Sequence, residues 1–542
     1  MLSDSRRLQL DMVVQMAHKL HGLDLQVVEE KLTEMIVDMD PRHLRVDDFE
    51  LLRRAKAALG NVLFAQGRLD EAEPLFRDWV VTASAAPLDG PGTAELLASK
   101  ISLGSLLIAQ NKLGEAHTVL MGVRSVLGEL GTASLMTRHA DTNWLMTRCY
   151  TCLGALLQNQ GKLHEAETLL KEALVVCRNR LGWTFRPAAL TFMNNLGAVL
   201  HARGAHEEAE KLLREVMDER RRTIGPLHPE TLATMNNLGL LLQDRGKLGE
   251  AESLLQDVVR ARRGTLGHRH VCTLTSINNL GALLMVKGRL DEAGLLCSEA
   301  LDGHRATLGE CHPGTLHSMN NLAGVHMAQG RLCEAEPLLK KALKVTRKTM
   351  GGNHKDTLTS MHNLGVLLKG QGKLDQAEVL FEEALRGRRA ALGHHHPETL
   401  SCIVHLGDLL HARGKLDTAE HRLQEAVTMS RKGVGNSHPC TLTCLHSYGR
   451  VLVALGRPDQ AEPLLREALA GRRHLLECAH PDLLDSMLVL ARCLASRGAM
   501  TEAEEAFQCV LDCRRSAHGD THPATVSCTH ELQQLRDRMR ST

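Results

Sequence analysis

Aromatic residues are nearly missing from this chain of 542 residues, of which phenylalanine, tyrosine and tryptophan make up 2%. Hydrophobic residues still reach 43%, so a core has to be built from leucine, alanine, valine and methionine. The shortage also counts against RNA binding by base stacking, because that mode needs aromatic platforms in a basic groove.

Neither sign of charge is in excess, since 65 basic and 64 acidic residues leave a formal charge of +1. Nucleic acids and anionic membranes attract strongly basic surfaces, so we expect neither as a partner. No apolar run approaches the length of a membrane span, and the first residues lack the pattern of a signal peptide. We therefore expect a cytoplasmic protein without a membrane contact.

The sequence also lacks motifs that carry chemistry. Its 15 cysteines are odd in number and scattered over helical positions, which suggests a reducing compartment rather than a disulfide framework. Cys149 and Cys152 form a C-x-x-C inside a helical pattern, which argues against a reactive thiol. We find no zinc-ligand spacing, no phosphate-binding loop and no nucleophile beside a base. From the sequence we therefore expect no catalytic residue, no cofactor and no metal site. We also expect that the protein is not an enzyme.

What the sequence does have is a repeated helical hairpin, seen most clearly in residues 228–267, HPETLATMNNLGLLLQDRGKLGEAESLLQDVVRARRGTLG. Pro229 suits a first helical position, and apolar residues then recur on one helical face. Gly246 breaks this pattern, a second helical pattern follows, and Gly267 ends it as a left-handed cap would. Neither helix can bury its apolar face alone, so the hairpin needs neighbours.

The neighbours are further copies of the hairpin, marked by an alanine in the second helix. The last seven steps between these alanines are each 42 residues, and the first three are irregular. A fixed period of tens of residues is the signature of a solenoid, so we predict eleven two-helix units. The marker alanines are Ala72, Ala116, Ala166, Ala209, Ala251, Ala293, Ala335, Ala377, Ala419, Ala461 and Ala503.

The regularity of the repeat predicts four regions. Residues 1–45 form an N-terminal helical cap with a first stripe at Leu8, Met12, Met16 and Leu20. Residues 46–180 form three irregular units, and residues 181–521 form eight regular units of 42 residues. Residues 522–542 start as a first helix without a second, which fits a solvent-facing C-terminal cap.

The repeated text HPETL…NNLG…GKL-x-EAE…LG resembles the tetratricopeptide repeat, whose common period is about 34 residues. In its longer period it is similar to the repeats of kinesin light chains and of nephrocystin-3-like proteins. The resemblance covers roughly residues 46–542. It implies an all-α, right-handed superhelical solenoid of antiparallel helix pairs, in which the first helix of each pair lines a concave groove. It also implies a non-enzymatic scaffold for protein–protein interaction.

The floor of this groove can be placed from helical angles. At about 100° per residue, Asn237 points away from the apolar face of its helix, on one stripe with Ala233, Leu240 and Asp244. Neighbouring units supply equivalent asparagines among mostly small residues, and an amide can pair with a peptide group of a ligand. The alternative is that helix packing fixes the asparagines. The predicted peptide-binding residues are Asn195, Asn237, Asn279, Asn321 and Asn363, with Thr191, Thr275 and Thr359, and further along Asp408 and Arg450.

An arginine recurs once per unit near the end of the second helix. This series could form a basic stripe for an acidic partner, or it could place a cation near the negative end of each helix. The constant position of the arginine just before the helix cap favours the second interpretation. It comprises Arg178, Arg221, Arg263, Arg305, Arg347, Arg389, Arg431, Arg473 and Arg515.

Two functions follow from these observations. The first is a protein-interaction scaffold that binds an extended peptide segment of a partner in the concave groove. The alternative is a kinesin-light-chain-like cargo adaptor of a microtubule motor, which would make kinesin heavy chain a partner.

Overall fold

A computed structural model of the chain describes residues 25–37, 46–84, 91–110, 112–130, 139–181, 186–476, 480–520 and 523–541. The first predicted stripe of the N-terminal cap lies outside these residues. The early helices are α1 Leu25–Val37, α2 Val46–Ala65, α3 Leu69–Ser84, α4 Pro91–Ala109, α5 Leu113–Leu130, α6 His139–Asn159, α7 Leu163–Leu181, α8 Arg186–Ala202 and α9 His206–Thr223.

The remaining helices follow one another at a nearly constant spacing. They are α10 Pro229–Asp244, α11 Leu248–Leu266, α12 Val271–Val286, α13 Leu290–Leu308, α14 Pro313–Ala328, α15 Leu332–Met350, α16 Lys355–Gly370, α17 Leu374–Leu392, α18 Pro397–Ala412, α19 Leu416–Gly433, α20 Pro439–Ala454, α21 Pro458–Leu475, α22 Pro481–Arg497, α23 Met500–His518 and α24 Pro523–Ser541.

Each helix packs against the next one in sequence, so the described helices form a stack of hairpins. We number these hairpins as units one to eleven, from α2–α3 to α22–α23, and call their two helices A and B. Helix α1 packs on α2, and α24 packs on α23. The predicted helical solenoid is therefore confirmed. None of the described helices is both long and apolar enough to cross a membrane.

Histidine, proline and glycine set the ends of the helices. In unit five the His228 side chain accepts a hydrogen bond from the Glu230 amide, and Pro229 takes the first helical position. Gly246 turns the chain between the helices with a φ of +77°. Gly267 ends helix B with a φ of +87° and a ψ of 167°, so it has the expected positive φ but an extended ψ instead of a left-handed helical one.

The core is continuous from unit to unit and consists mainly of leucine and alanine, as the shortage of aromatics predicts. The marker alanine of each helix B is buried, as Ala251 is in unit five. The glycine of each NNLG motif lets the two helices of a unit approach closely. A β-carbon added to Gly239 would lie 2.9 Å from Leu255 Cδ2, too close for the packed side chain to stay in place.

Helices A line the inside of the curve. Helices A of neighbouring units approach each other more closely than neighbouring helices B do. A curved stack is shorter on its inner side, so the concave surface belongs to the helices A. The curve also brings distant units together: His354 of unit eight contacts Ala109 of unit two, and His438 of unit ten contacts Ala202 of unit four. The constant offset means that six units complete one turn of the superhelix.

Candidate functional site

The five predicted asparagines lie on the helices A of units four to eight, and all five side chains are partly exposed. Their helices α8, α10, α12, α14 and α16 are neighbours on the concave surface. The structure thus brings these residues together along one line across the inner face. Small residues accompany them, including Ala198, Ala282 and Gly324.

The first three asparagines bond to the preceding unit. Asn195 Nδ2 donates to Thr151 Oγ1 at 3.3 Å. Asn237 Nδ2 donates to Asn194 Oδ1 at 3.4 Å, and Asn279 Nδ2 donates to Asn236 Oδ1 at 3.1 Å. Each unit therefore gives an amide donor to the unit before it, and these three side chains serve packing between helices A.

This series of hydrogen bonds from asparagine side chains ends at unit six. Both side-chain atoms of the buried Asn278 lack a hydrogen-bond partner among the described residues, as does Asn320 Oδ1. Asn321 and Asn363 would continue the series, yet within the described part of the chain their side chains make no hydrogen bond. Units seven and eight therefore present free amide groups in the groove.

The predicted threonines differ in their surroundings. Thr275 is exposed and donates to the Val271 carbonyl of its own helix at 2.9 Å. Thr191 and Thr359 are partly buried and accept hydrogen bonds from the guanidiniums of Arg220 and Arg388. All three hydroxyls are thus hydrogen-bonded within the protein.

Charged and imidazole groups take over in units nine to eleven, where they pair with one another. Asp408 and Arg450 form an ion pair with each other. Asp485 lies 3.0 Å from His446, whose hydrogen bond lowers the pKa of the carboxyl group. The C-terminal part of the groove is therefore charged but internally compensated.

His405 takes the asparagine position in unit nine. Its ring packs against that of His362 of unit eight, with the centroids 4.5 Å apart and the ring planes tilted by 51°. Burial lowers the pKa of His362 to about 2 and the pKa of His405 to about 4, so both rings are neutral at neutral pH.

The recurring arginines of the helices B pair with carboxylates of the next unit. Arg263 Nη2 donates to Glu299 at 2.6 Å, and Arg347 Nη2 donates to Glu383 at 2.7 Å. Arg389 repeats the bond to Glu425 at 3.0 Å. These guanidiniums join adjacent helices B, and their charge is matched by carboxylates, which leaves no free basic stripe at these units.

Sequence reasoning missed a second arginine position, directly before this series. Arg220 is 3% exposed and reaches into the next unit, where Nη1 donates to the Glu230 carbonyl at 3.0 Å and to Thr234 Oγ1 at 2.7 Å. The only available signal was the 42-residue spacing of the buried arginines. Others with the same role are Arg262, Arg388, Arg472 and Arg514.

The described ranges offer little support for a metal site or for catalysis by a cysteine. No group of three His, Cys, Asp or Glu side chains there is arranged to hold a metal ion. Cys149 lies buried within α6, and burial raises the pKa of its thiol to about 12, far from the range of a reactive cysteine.

A curved stack of helix pairs with a concave face of small and amide side chains defines a class of protein, the helical-repeat scaffold for protein–protein interaction. The sequence pattern of the tetratricopeptide repeat matches residues 188–264, 272–332, 317–390, 367–432 and 404–474. Further matches to this repeat cover residues 53–78, 147–187 and 449–518. The chain belongs to the tetratricopeptide repeat family, and such repeats bind protein or peptide partners.

Two solved structures illustrate what the chain is similar to. A kinesin light chain candidate from Podosopora anserina with nearly identical TPR-like repeats is 29% identical; the match covers 38% of this chain and 96% of that one, with a TM-score of 0.33. BtubC (BKLC) from P. vanneervenii is 22% identical over 42% of this chain and 92% of that one, with a TM-score of 0.36. None of the curated proteins matches the chain.

Proposed function

We propose that the concave groove binds an extended peptide segment of a partner protein, centred on units seven and eight. The observation that carries this proposal is the pair of free amides at Asn321 and Asn363. An amide side chain offers one acceptor and two donors, which matches the N–H and C=O groups of a peptide backbone.

The surroundings of these amides favour a backbone ligand. Gly324 and Val366 flank them on the same stripe and leave room for a main chain to approach. Asp408 and Arg450, the charges of the next units, neutralise each other. We therefore propose a segment recognised through its backbone and small side chains more than through its charge.

Two matched double variants test the groove. Asn321→Ala with Asn363→Ala should weaken binding of a peptide selected from a display library on the full chain. Two lost neutral hydrogen bonds, at about 0.5–1.5 kcal/mol each, correspond to a loss of at least about fivefold. The melting temperature should hold, because neither amide bonds to a described residue and alanine is the better helix former. Calorimetric titration and circular dichroism provide the two measurements.

The control is Asn237→Ala with Asn279→Ala, which removes the same chemistry where the amides bond neighbouring units. We expect this variant to lower the melting temperature and to affect binding less. Equal affinity of the wild type and the Asn321/Asn363 variant would contradict the proposed floor of the groove.

A kinesin-light-chain-like cargo adaptor is a second candidate function, and the repeat text HPETL…NNLG…GKL-x-EAE supports it. Co-expression with a kinesin heavy chain, followed by affinity capture and gel filtration, distinguishes the two candidates. A stable complex with the heavy chain favours the adaptor, and its absence alongside peptide binding favours the general scaffold. A cytoplasmic location belongs to both candidates and stays a proposal.

A further inference from the structure

The histidines that begin the helices A make two different sets of contacts. In every regular unit from five to eleven, the ring nitrogen Nδ1 accepts a hydrogen bond from the backbone amide two residues on. In units seven to eleven the same rings also face a unit six places earlier, across the seam between two turns of the superhelix.

Two of these contacts are hydrogen bonds. His354 Nε2 lies 2.9 Å from the carbonyl oxygen of Ala109, and His438 Nε2 lies 3.0 Å from that of Ala202. Both carbonyls are at the last residue of a helix A, where the helix leaves its acceptors unpaired. Because Nδ1 accepts a bond, the proton of a neutral ring lies on Nε2, which therefore donates across the seam.

The same arrangement repeats along the seam. The Ala65 carbonyl of unit one also faces His312. A β-carbon added to Gly67 would lie 2.6 Å from His312 Cδ2, and one added to Gly161 would lie 2.4 Å from His396 Cδ2. His480 lies near Asp244 at the last of these positions. Glycine at the turns of units one and three thus leaves room for the ring.

Other units show the same groups without the contact. The turn glycines Gly288, Gly330, Gly372 and Gly414 would meet nothing within 4 Å if they carried a β-carbon. His228 caps its helix in the same way as His438, but it is exposed, and its described bonds do not include a partner across a seam. Capping therefore does not explain the second bond.

We propose that the capping histidines of units seven to eleven form a latch that holds successive turns of the superhelix together, and that protonation of His312, His396, His438 and His480 opens it. One neutral ring satisfies a helix N-terminus through Nδ1 and a helix C-terminus through Nε2. A second proton would go to Nδ1, which would remove the cap and place a positive charge at the positive end of a helix.

The groups around the rings set the pH range. His304 faces His312, His206 faces His438, and the carboxylate of Asp356 lies 3.8 Å from His354. Glu398 and Arg388 face His396, while Asp482, Arg472 and Asp244 face His480. Across the seam from His354, the lining of the shared cavity includes Arg68, Asp70, Glu71 and Lys112.

Burial affects the pKa values of these histidines more than the nearby carboxylates do. It lowers the pKa of His312 to about 4 and lowers the pKa values of His396, His438 and His480. An open seam returns these rings to an ordinary pKa of about 6.5, so the open state binds more protons below about pH 6.5. The closed state is therefore fully favoured above about pH 6.5 and loses stability as the pH falls below that value.

Opening the latch would also change access to the groove. A cavity of about 620 Å³ at the seam is lined by Ala198, Asn237 and Leu240 of the concave stripe on one side and by His438 and Pro439 on the other. Units ten and eleven thus cover part of the groove of units four and five. This consequence rests on the proposed function, whereas the latch itself can be tested without any ligand.

The test uses small-angle X-ray scattering of the full chain. His354→Asn with His438→Asn keeps a capping oxygen at each helix start but cannot reach across the seam. Each lost bond should shift the balance between closed and open by about two- to twelvefold, so the double variant should have a larger radius of gyration at about pH 7.5. The wild type should expand on going to about pH 5.5, with its helical circular dichroism retained.

The matched control is His228→Asn, which changes the same capping group in unit five and should keep the wild-type dimensions. The latch is refuted if the double variant scatters like the wild type, or if His228→Asn expands it as much. A wild type that keeps its dimensions at about pH 5.5 refutes the pH sensitivity. If Asn321→Ala with Asn363→Ala does not affect peptide binding, that result would count against the proposed groove site and not against the latch.

Discussion

Arg220→Met should destabilise the junction between units four and five by about 2–4 kcal/mol. Each of its three bonds from a buried charged donor contributes about 1.5–3 kcal/mol, and the cost of burying the guanidinium, which methionine does not have, offsets part of that sum. The Arg220 guanidinium is 3% exposed and donates to the Glu230 carbonyl, Thr234 Oγ1 and Thr191 Oγ1. Methionine fills a similar volume but offers no donor, so these acceptors of unit five and unit four lose their shared partner. Urea denaturation followed by circular dichroism should show a lower midpoint.

The control for this change lies two residues further on. Arg222 is exposed and pairs with Glu219 of its own helix at 2.8 Å. Exposed ion pairs contribute little to stability because water screens them, so Arg222→Met should leave the midpoint nearly unchanged. Equal effects of the two substitutions would mean that Arg220 does not join the units. Hydrogen exchange should place the loss of protection in α9 and α10.

The repeat itself could be predicted because each hairpin is a local structure. The period of 42 residues, the proline at the helix start and the glycine in the turn each act within one unit. Neighbouring units then pack through the same faces along the whole array, so one well-patterned unit predicts the others. Gly267 shows the limit of this approach: its sequence context predicts a positive φ but not its extended ψ of 167°.

The groove could be predicted only in part, because the angle of a residue on its helix does not give its partner. The count of about 100° per residue places Asn237 and Asn321 on the same stripe. It cannot tell that Asn237 meets Asn194 of the preceding unit, whereas Asn321 meets no acceptor among the described residues. That difference depends on small shifts between neighbouring helices.

The seam could not be predicted at all, because it depends on the pitch of the superhelix. His228 and His438 share the local pattern G-x-x-H-P-x-T-L and cap their helices in the same way. Only the curvature of the whole stack decides that His438 meets Ala202 of unit four. A contact between residues that are 236 positions apart cannot be predicted from a pattern that repeats every 42 residues.

Removal of residues 522–542 should weaken the end of the array while distant units stay intact. Helix α24 packs the buried side chains of Cys528, Leu532 and Leu535 against the apolar residues of α23, among them Phe507 and Leu511. Burial of one such side chain stabilises by about 1.5–3 kcal/mol, so the last hairpin should lose about 5–9 kcal/mol of local stability.

In a linear array this loss stays local, since each unit contacts mainly its neighbours. Amide exchange in α23 should accelerate more than about a thousandfold, while α12 and α13 of unit six keep their protection. Deletion of residues 540–542 alone is the control and should leave α23 protected, because Leu535 and the other buried residues of α24 remain. Faster exchange in α12 and α23 together would show that the units unfold as one cooperative body, and the description of the chain as a linear array would then be wrong.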